Sequence, residues 1–189
     1  GFILSRSFFL ILLIYFLINL IYSYKLKHVP ILDVMIIAAG FVLRVAAGVT
    51  IIQVDHFSPW LYVVTSVLAL FLALGKRRGE LATILETNHQ QRRVLEGYTL
   101  PFLDQLITII SATTIISYSF YTFSAPNLPG NHTMMLTIPF ALFGIFRYLY
   151  LIQTKNEGGS PEELVFSDRP LQATFIFFIV AIILIFYIF

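Results

Sequence analysis

Three groups of charged residues lie against long apolar runs of this chain, and each has the makings of a contact for a phosphorylated ligand. The segment Gly75-Lys-Arg-Arg-Gly-Glu-Leu81 closes the third run. Lys76 and Glu80 are four apart and Arg77 and Glu80 three apart, so on a continued helical turn they share a face. Two cations beside one carboxylate can clamp a multiply charged phosphate while the carboxylate holds Mg²⁺ or a sugar hydroxyl. The same residues also suit the plain basic cap of a membrane helix. The second group, Tyr22-Ser-Tyr-Lys-Leu-Lys27, puts a phenol and two ammonium groups at one membrane boundary. Lysines there either hold an anionic headgroup or phosphate, or simply snorkel to water. The third is Asp33 and Arg44, both inside the second run. Eleven residues return them to nearly one helix face but set them about 16 Å apart. They cannot pair with each other, and an unpaired ion in hydrocarbon costs several kcal/mol, so each needs a partner elsewhere. Arg147, within the fifth run, poses the same question.

Other chemistries are thinly represented. The chain has no cysteine, which removes disulfides, thiolate nucleophiles and Cys-ligated metals. His28, His56, His89 and His132 stand singly, without the spacing of a zinc site. No phosphate loop, dinucleotide fingerprint, nucleophile elbow or HExxH motif occurs.

The elements that must position these residues are six apolar runs, at roughly 7–24, 31–52, 59–75, 100–122, 133–153 and 170–189. Each is about 17–23 residues, the length a helix needs to cross about 30 Å of hydrocarbon. With 58% hydrophobic and 12% charged residues and a mean hydropathy of +0.86, the composition is that of an integral membrane protein. The sequence therefore predicts an all-α polytopic bundle forming one transmembrane domain over 1–189. A net charge of +2 is too small to suggest nucleic acid as a partner. The placement of charge says more. Lys25 and Lys27, then Lys76, Arg77, Arg78, Arg92 and Arg93, then Lys155 and Arg169 fall in alternate loops, and the loops between hold no Lys or Arg. By the positive-inside rule the basic loops face the cytoplasm.

Finer signals complete the plan. Pro30 suits the first turn of a new helix, and Gly40, Arg44 and Gly48 recur every four residues as a groove of small residues on helix two. Helix three enters through Ser58-Pro-Trp60 and runs to Gly75. The loop from Lys76 to Leu100 carries Leu81, Ile84 and Leu85 at helical spacing, so part of it is helical. Ala125 to Asn131 is an outer turn, and Ser160, Pro161 and Glu163 have the pattern of a capping box before a short surface helix. The chain starts at Gly1 rather than Met and enters a helix almost at once, as a chain lacking its amino-terminal part would.

At these residues the chain resembles the UbiA superfamily of intramembrane prenyltransferases, and within it the branch that transfers phosphoribose to decaprenyl phosphate. The resemblance lies in Tyr22-Ser-Tyr-Lys-Leu-Lys-His-Val-Pro-Ile-Leu-Asp33, Ala39-Gly-Phe-Val-Leu-Arg44 with Ala47-Gly48, and Ser58-Pro-Trp60. It continues in Gly75-Lys-Arg77 with Glu80-Leu81, Phe146-Arg-Tyr-Leu-Tyr150, Gly158-Gly-Ser-Pro-Glu-Glu-Leu164 and Asp168-Arg-Pro170. It implies nine transmembrane helices, of which these six are the last. It also implies a Mg²⁺-binding N-D-x-x-D-x-x-x-D motif that this chain lacks. The implied reaction moves 5-phosphoribose from phosphoribosyl diphosphate to a polyprenyl phosphate at the cytoplasmic face of a bacterial cell membrane. Lys76 and Arg77 would meet the donor phosphates, and Glu80 would orient them or bind Mg²⁺. Tyr22, Lys27 and Arg44 would contact prenyl phosphate or donor, with Asp33 in support and Arg147 in the same polar cavity. Small residues and the Phe/Leu walls of helices two and three suit a tail groove. A homo-oligomer is compatible with this reading. Other readings are a prenyltransferase with a different acceptor, a transporter of anionic lipids, or a non-catalytic membrane subunit.

Overall fold

A computed structural model describes residues 6–52, 58–87, 95–126, 128–155 and 160–188; His56, His89, Arg92, Arg93 and Gly158-Gly159 lie outside these. Seven α-helices follow one another: α1 Arg6–Tyr24, α2 Leu32–Ile52, α3 Pro59–Thr87, α4 Leu100–Ser124, α5 Ile138–Thr154, α6 Pro161–Ser167 and α7 Arg169–Ile188. Short 3₁₀ turns at Leu26–His28, Leu95–Gly97 and Thr133–Thr137 join them, and the described residues contain no strand. All of the elements except α6 supply a span long and apolar enough to cross a membrane, with the turn at 133–137 running into α5. The six predicted spans are therefore present as helices of sufficient length and apolar character.

Each long helix packs chiefly on its neighbour in sequence: α1 on α2, α2 on α3, α3 on α4, and α5 on α7. Helix α1 buries no residue, and its apolar side chains point in every direction, as befits a helix whose solvent is lipid. The tight packing gathers near one end of the bundle, where Leu74, Leu81, Leu95, Leu103, Leu151 and Ile152 are buried together.

Helix α3 departs from the sequence expectation. It does not close at Gly75 but continues to Thr87, giving 29 residues, or about 43 Å at the usual rise, well beyond a hydrocarbon layer. Burial of Leu81 and Ala82 on the inner face carries it on, with Thr83 Oγ1 bonded back to the Gly79 carbonyl at 3.0 Å. The glycine groove on α2 is realised at Gly40, where the Tyr15 ring of α1 comes within 3.6 Å of the place a Cβ would occupy, but not at Gly48, which faces open space. Ser160 does stand at the N-cap of α6 with Pro161 behind it, yet its side chain makes no capping hydrogen bond. The cap there is made by its carbonyl alone, which accepts from Glu163 N at 3.0 Å and Leu164 N at 3.2 Å.

Candidate active site

Alternate crossing brings the end of α1, the start of α2, the last turns of α3 and the start of α4 to one end of the bundle. There the buried carboxylate of Asp33, 0% exposed, accepts from Arg77 Nε at 2.7 Å. Arg77 Nη1 also donates to Glu80 Oε2 at 2.7 Å, one turn further along α3. A buried guanidinium held between two carboxylates has its charge compensated and two of its donors engaged, which offsets the cost of desolvation. The other oxygen of Asp33 accepts from the Tyr98 hydroxyl at 2.8 Å, and that hydroxyl accepts in turn from the Ile31 amide at 2.5 Å. Burial above all, then the Asp33 carboxylate, pushes the Tyr98 phenol up to about 12 against the opposing pull of the Ile31 amide. Tyr98 is thus a protonated donor at neutral pH.

Local backbone holds this arrangement. Ile31 sits at φ 70°, a left-handed conformation uncommon for a β-branched residue. Gly97 lies so close to the Pro30 ring that a Cβ would meet its Cγ. Thr99 caps α4 by accepting from Phe102 N at 3.3 Å, which fixes where Tyr98 leaves the turn. The α1–α2 corner and the segment entering α4 are thereby joined.

Lys25, Lys27 and Lys76 differ from the arginines. Lys25 and Lys27 are exposed and Lys76 is half-buried, and among the described residues no side-chain hydrogen bond or ion pair engages any of them. Arg78, next to Arg77 but turned toward α4 and α5, donates to Asp104 at 3.1 Å and to the Ile152 carbonyl. The fixed arginine charges are matched by protein groups, while the lysine charges remain available to a ligand.

The other predicted residues lie apart. Tyr22 is half-buried near the end of α1. Arg44 finds a neutral partner, donating to the Tyr15 hydroxyl at 2.6 Å with its guanidinium over the Tyr15 and Phe41 rings. Arg147 is bound two-pronged to Asp168, at 3.1 and 2.7 Å, and lies over Tyr150. Asp168 also accepts from Leu171 N at 2.9 Å, capping α7. The Arg147 hydrogen bond, helped by the Leu171 amide, holds the Asp168 carboxyl below the usual carboxylate range. Sequence reasoning gave no role to Tyr98, Asp104 or Tyr15, whose partners lie 26 to 67 residues away.

An apolar cavity of about 310 Å³ opens between α3, α4, α5 and α7, with Leu68, Phe71, Tyr118, Gly144, Tyr148 and Phe178 among its walls. Its upper wall, Tyr148, packs against Gly75, one residue before Lys76. Helix α3 lines this cavity together with α4, α5 and α7, and α2, which the sequence reading paired with α3, is not among its walls.

For Mg²⁺ the donor set is poor. Among the described residues no three acidic, histidine or cysteine side chains converge, and the carboxylates of Asp33 and Glu80 are shared with Arg77. The residues here do not by themselves fit a magnesium centre.

Comparison with known proteins finds several relatives that share one name. No family model matches the chain. It is 30% identical over 182 residues to a Mycolicibacterium smegmatis protein named decaprenyl-phosphate phosphoribosyltransferase, covering 92% of the chain and 56% of that protein. A Corynebacterium glutamicum protein of the same name is 29% identical over 178 residues, or 93% of the chain and 53% of the relative. The Mycobacterium tuberculosis protein of that name is 26% identical over 172 residues, 91% and 56% respectively. The chain spans about half the length of these curated relatives.

Proposed function

We propose that this chain is part of a phosphoribosyltransferase that moves 5-phosphoribose from phosphoribosyl diphosphate to a polyprenyl phosphate, in the manner its relatives' name describes, at the cytoplasmic face of a bacterial membrane. The observation that carries the reading is similarity to proteins of that one name along more than nine-tenths of the chain. Physical support comes from lysines without protein partners gathered at one membrane end, beside an apolar cavity.

In the reaction a phosphate oxygen of the lipid forms a bond to the anomeric carbon as the bond from that carbon to the diphosphate breaks. Negative charge grows on the leaving diphosphate and positive charge on the sugar ring. Preorganised cations beside the leaving group therefore supply most of the stabilisation available to the protein. Lys76 is assigned to the donor phosphates, with Arg77 held by Asp33 to set the position of Glu80, whose carboxylate orients the ribose. Lys27 and Tyr22 meet the lipid phosphate at the end of α1, Arg44 contributes positive potential from within the span, and Arg147 fixes the α5–α7 corner. The cavity between α3, α4, α5 and α7 takes part of the prenyl tail. Magnesium enters as the counter-ion a diphosphate brings with it, and no step is assigned to it through these residues.

The test is transfer of label from phosphoribosyl diphosphate into the lipid fraction, using the intact protein in membranes with defined polyprenyl phosphates. Label in a lipid that releases phosphoribose on mild acid is the expected result. Label confined to water-soluble products would overturn the reading.

A further inference from the structure

From a separate stretch of chain, Tyr98 bridges the strained α1–α2 corner and the buried carboxylate of the charged cluster. Its hydroxyl accepts from the Ile31 amide at 2.5 Å and donates to Asp33 Oδ1 at 2.8 Å, while Asp33 Oδ2 accepts from Arg77 at 2.7 Å and Arg77 reaches Glu80 at 2.7 Å. Five groups from three separate stretches of chain, 31–33, 77–80 and Tyr98, are thus joined by consecutive hydrogen bonds. Tyr98 is 4% exposed, so the residue is largely shielded from bulk water. It reaches the site from the segment before α4, where Leu95 is buried at 1% and Gly97 fits against Pro30. The left-handed Ile31 is a conformation that persists only when its surroundings over-determine it, and the Tyr98 hydroxyl is what its amide meets.

We infer that Tyr98 is a positioning residue: it fixes the orientation of Asp33, and through Asp33 the register of Arg77 and Glu80 against the α1–α2 corner that carries Lys25 and Lys27. This rests on the proposed transferase reading. Tyr98 has no reacting atom to touch. Its effect is geometric, and it acts on both phosphate-binding ends together, because one hydroxyl orients the carboxylate under α3 and the amide of the corner.

The experiment compares Tyr98→Phe, Asp33→Asn and the double variant in the intact protein in nanodiscs. It measures transfer kinetics for both substrates, thermal unfolding and hydrogen exchange. Tyr98→Phe keeps the ring and its packing, so it is expected to fold. Turnover should fall about 10- to 100-fold, the scale of a small misplacement at a reacting centre. Exchange should quicken in peptides covering 29–35 and 75–81 together, and the double variant should lose no more than Asp33→Asn alone. Turnover within twofold of wild type overturns the assignment. So do losses that multiply in the double variant, or quickened exchange at 29–35 with none at 75–81. A wild-type protein without transferase activity defeats the proposed function instead. The positioning role is then decided by exchange alone: coupled loosening of the two segments sustains it and its absence ends it.

Discussion

Lys76 and Arg77 are adjacent in sequence and opposite in circumstance. The guanidinium of Arg77 is buried between Asp33 and Glu80, whereas the ammonium of Lys76, half-exposed, has no protein partner among the described residues. The two should therefore respond differently to substitution. Lys76→Met is expected to leave thermal stability nearly unchanged while lowering phosphoribosyl transfer by about a hundredfold, the effect of losing one preorganised charge at a leaving group. Asp33→Asn should lower both, with destabilisation on the order of 3 kcal/mol because a buried cation loses one of its counter-charges. Parallel melting curves and initial rates distinguish the two cases. The sequence made the charged residues visible, since an ion in an apolar run cannot hide. It also showed by helical geometry that Asp33 and Arg44 could not pair. Their actual partners were beyond it. Tyr98 meets Asp33 across 65 residues and Tyr15 meets Arg44 across 29, and no local period records either meeting.

At the scale of elements, the long α3 is what carries the cluster out of the hydrocarbon. Its approach to α5 depends on Gly75, where a Cβ would meet the Tyr148 hydroxyl and stand 2.8 Å from Cε1. Gly75→Ala is expected to cost about 1–3 kcal/mol of stability through overpacking. Tyr148→Phe, by shortening the obstructing side chain, should recover part of that loss in a double-variant melt. The α5–α7 corner is a separate device, fixed by Arg147 and Asp168. Because the folded Asp168 carboxyl titrates below its ordinary value, the contribution of this pair is complete above about pH 4 and fades as pH falls through the lower folded value. Hydrogen exchange over 161–172, corrected for intrinsic rates, should stay slow from pH 7 to about pH 5 and quicken below about pH 4. Arg147→Met should abolish that acid dependence. Apolar run length foretold the helices well, because crossing a bilayer is a matter of length and composition. The spacing of Leu81, Ile84 and Leu85 did show that the stretch after Gly75 is partly helical, but not that it continues α3 unbroken, because a helix leaving the membrane changes its polarity without breaking its backbone.

Over the whole molecule, six crossings place the α1–α2 corner and the end of α3 at the same end of the bundle. The basic loops announced this sidedness directly, since loop charge is a sequence property. Which helices enclose the apolar cavity was not legible, because that depends on how neighbours pack, and in lipid every face of a helix is apolar. The account as a whole claims that uncommitted lysines on one side of the membrane grip the phosphorylated donor. These 189 residues contain no cysteine, so single replacements among them can be labelled, with the unsubstituted protein as the control for background. Lys27→Cys and Lys76→Cys, treated with a membrane-impermeant thiol reagent in oriented vesicles, give the most direct test. Both positions are predicted to react from the cytoplasmic side alone and to be protected by phosphoribosyl diphosphate with Mg²⁺. Reaction from opposite sides, or labelling indifferent to the donor, would contradict the account.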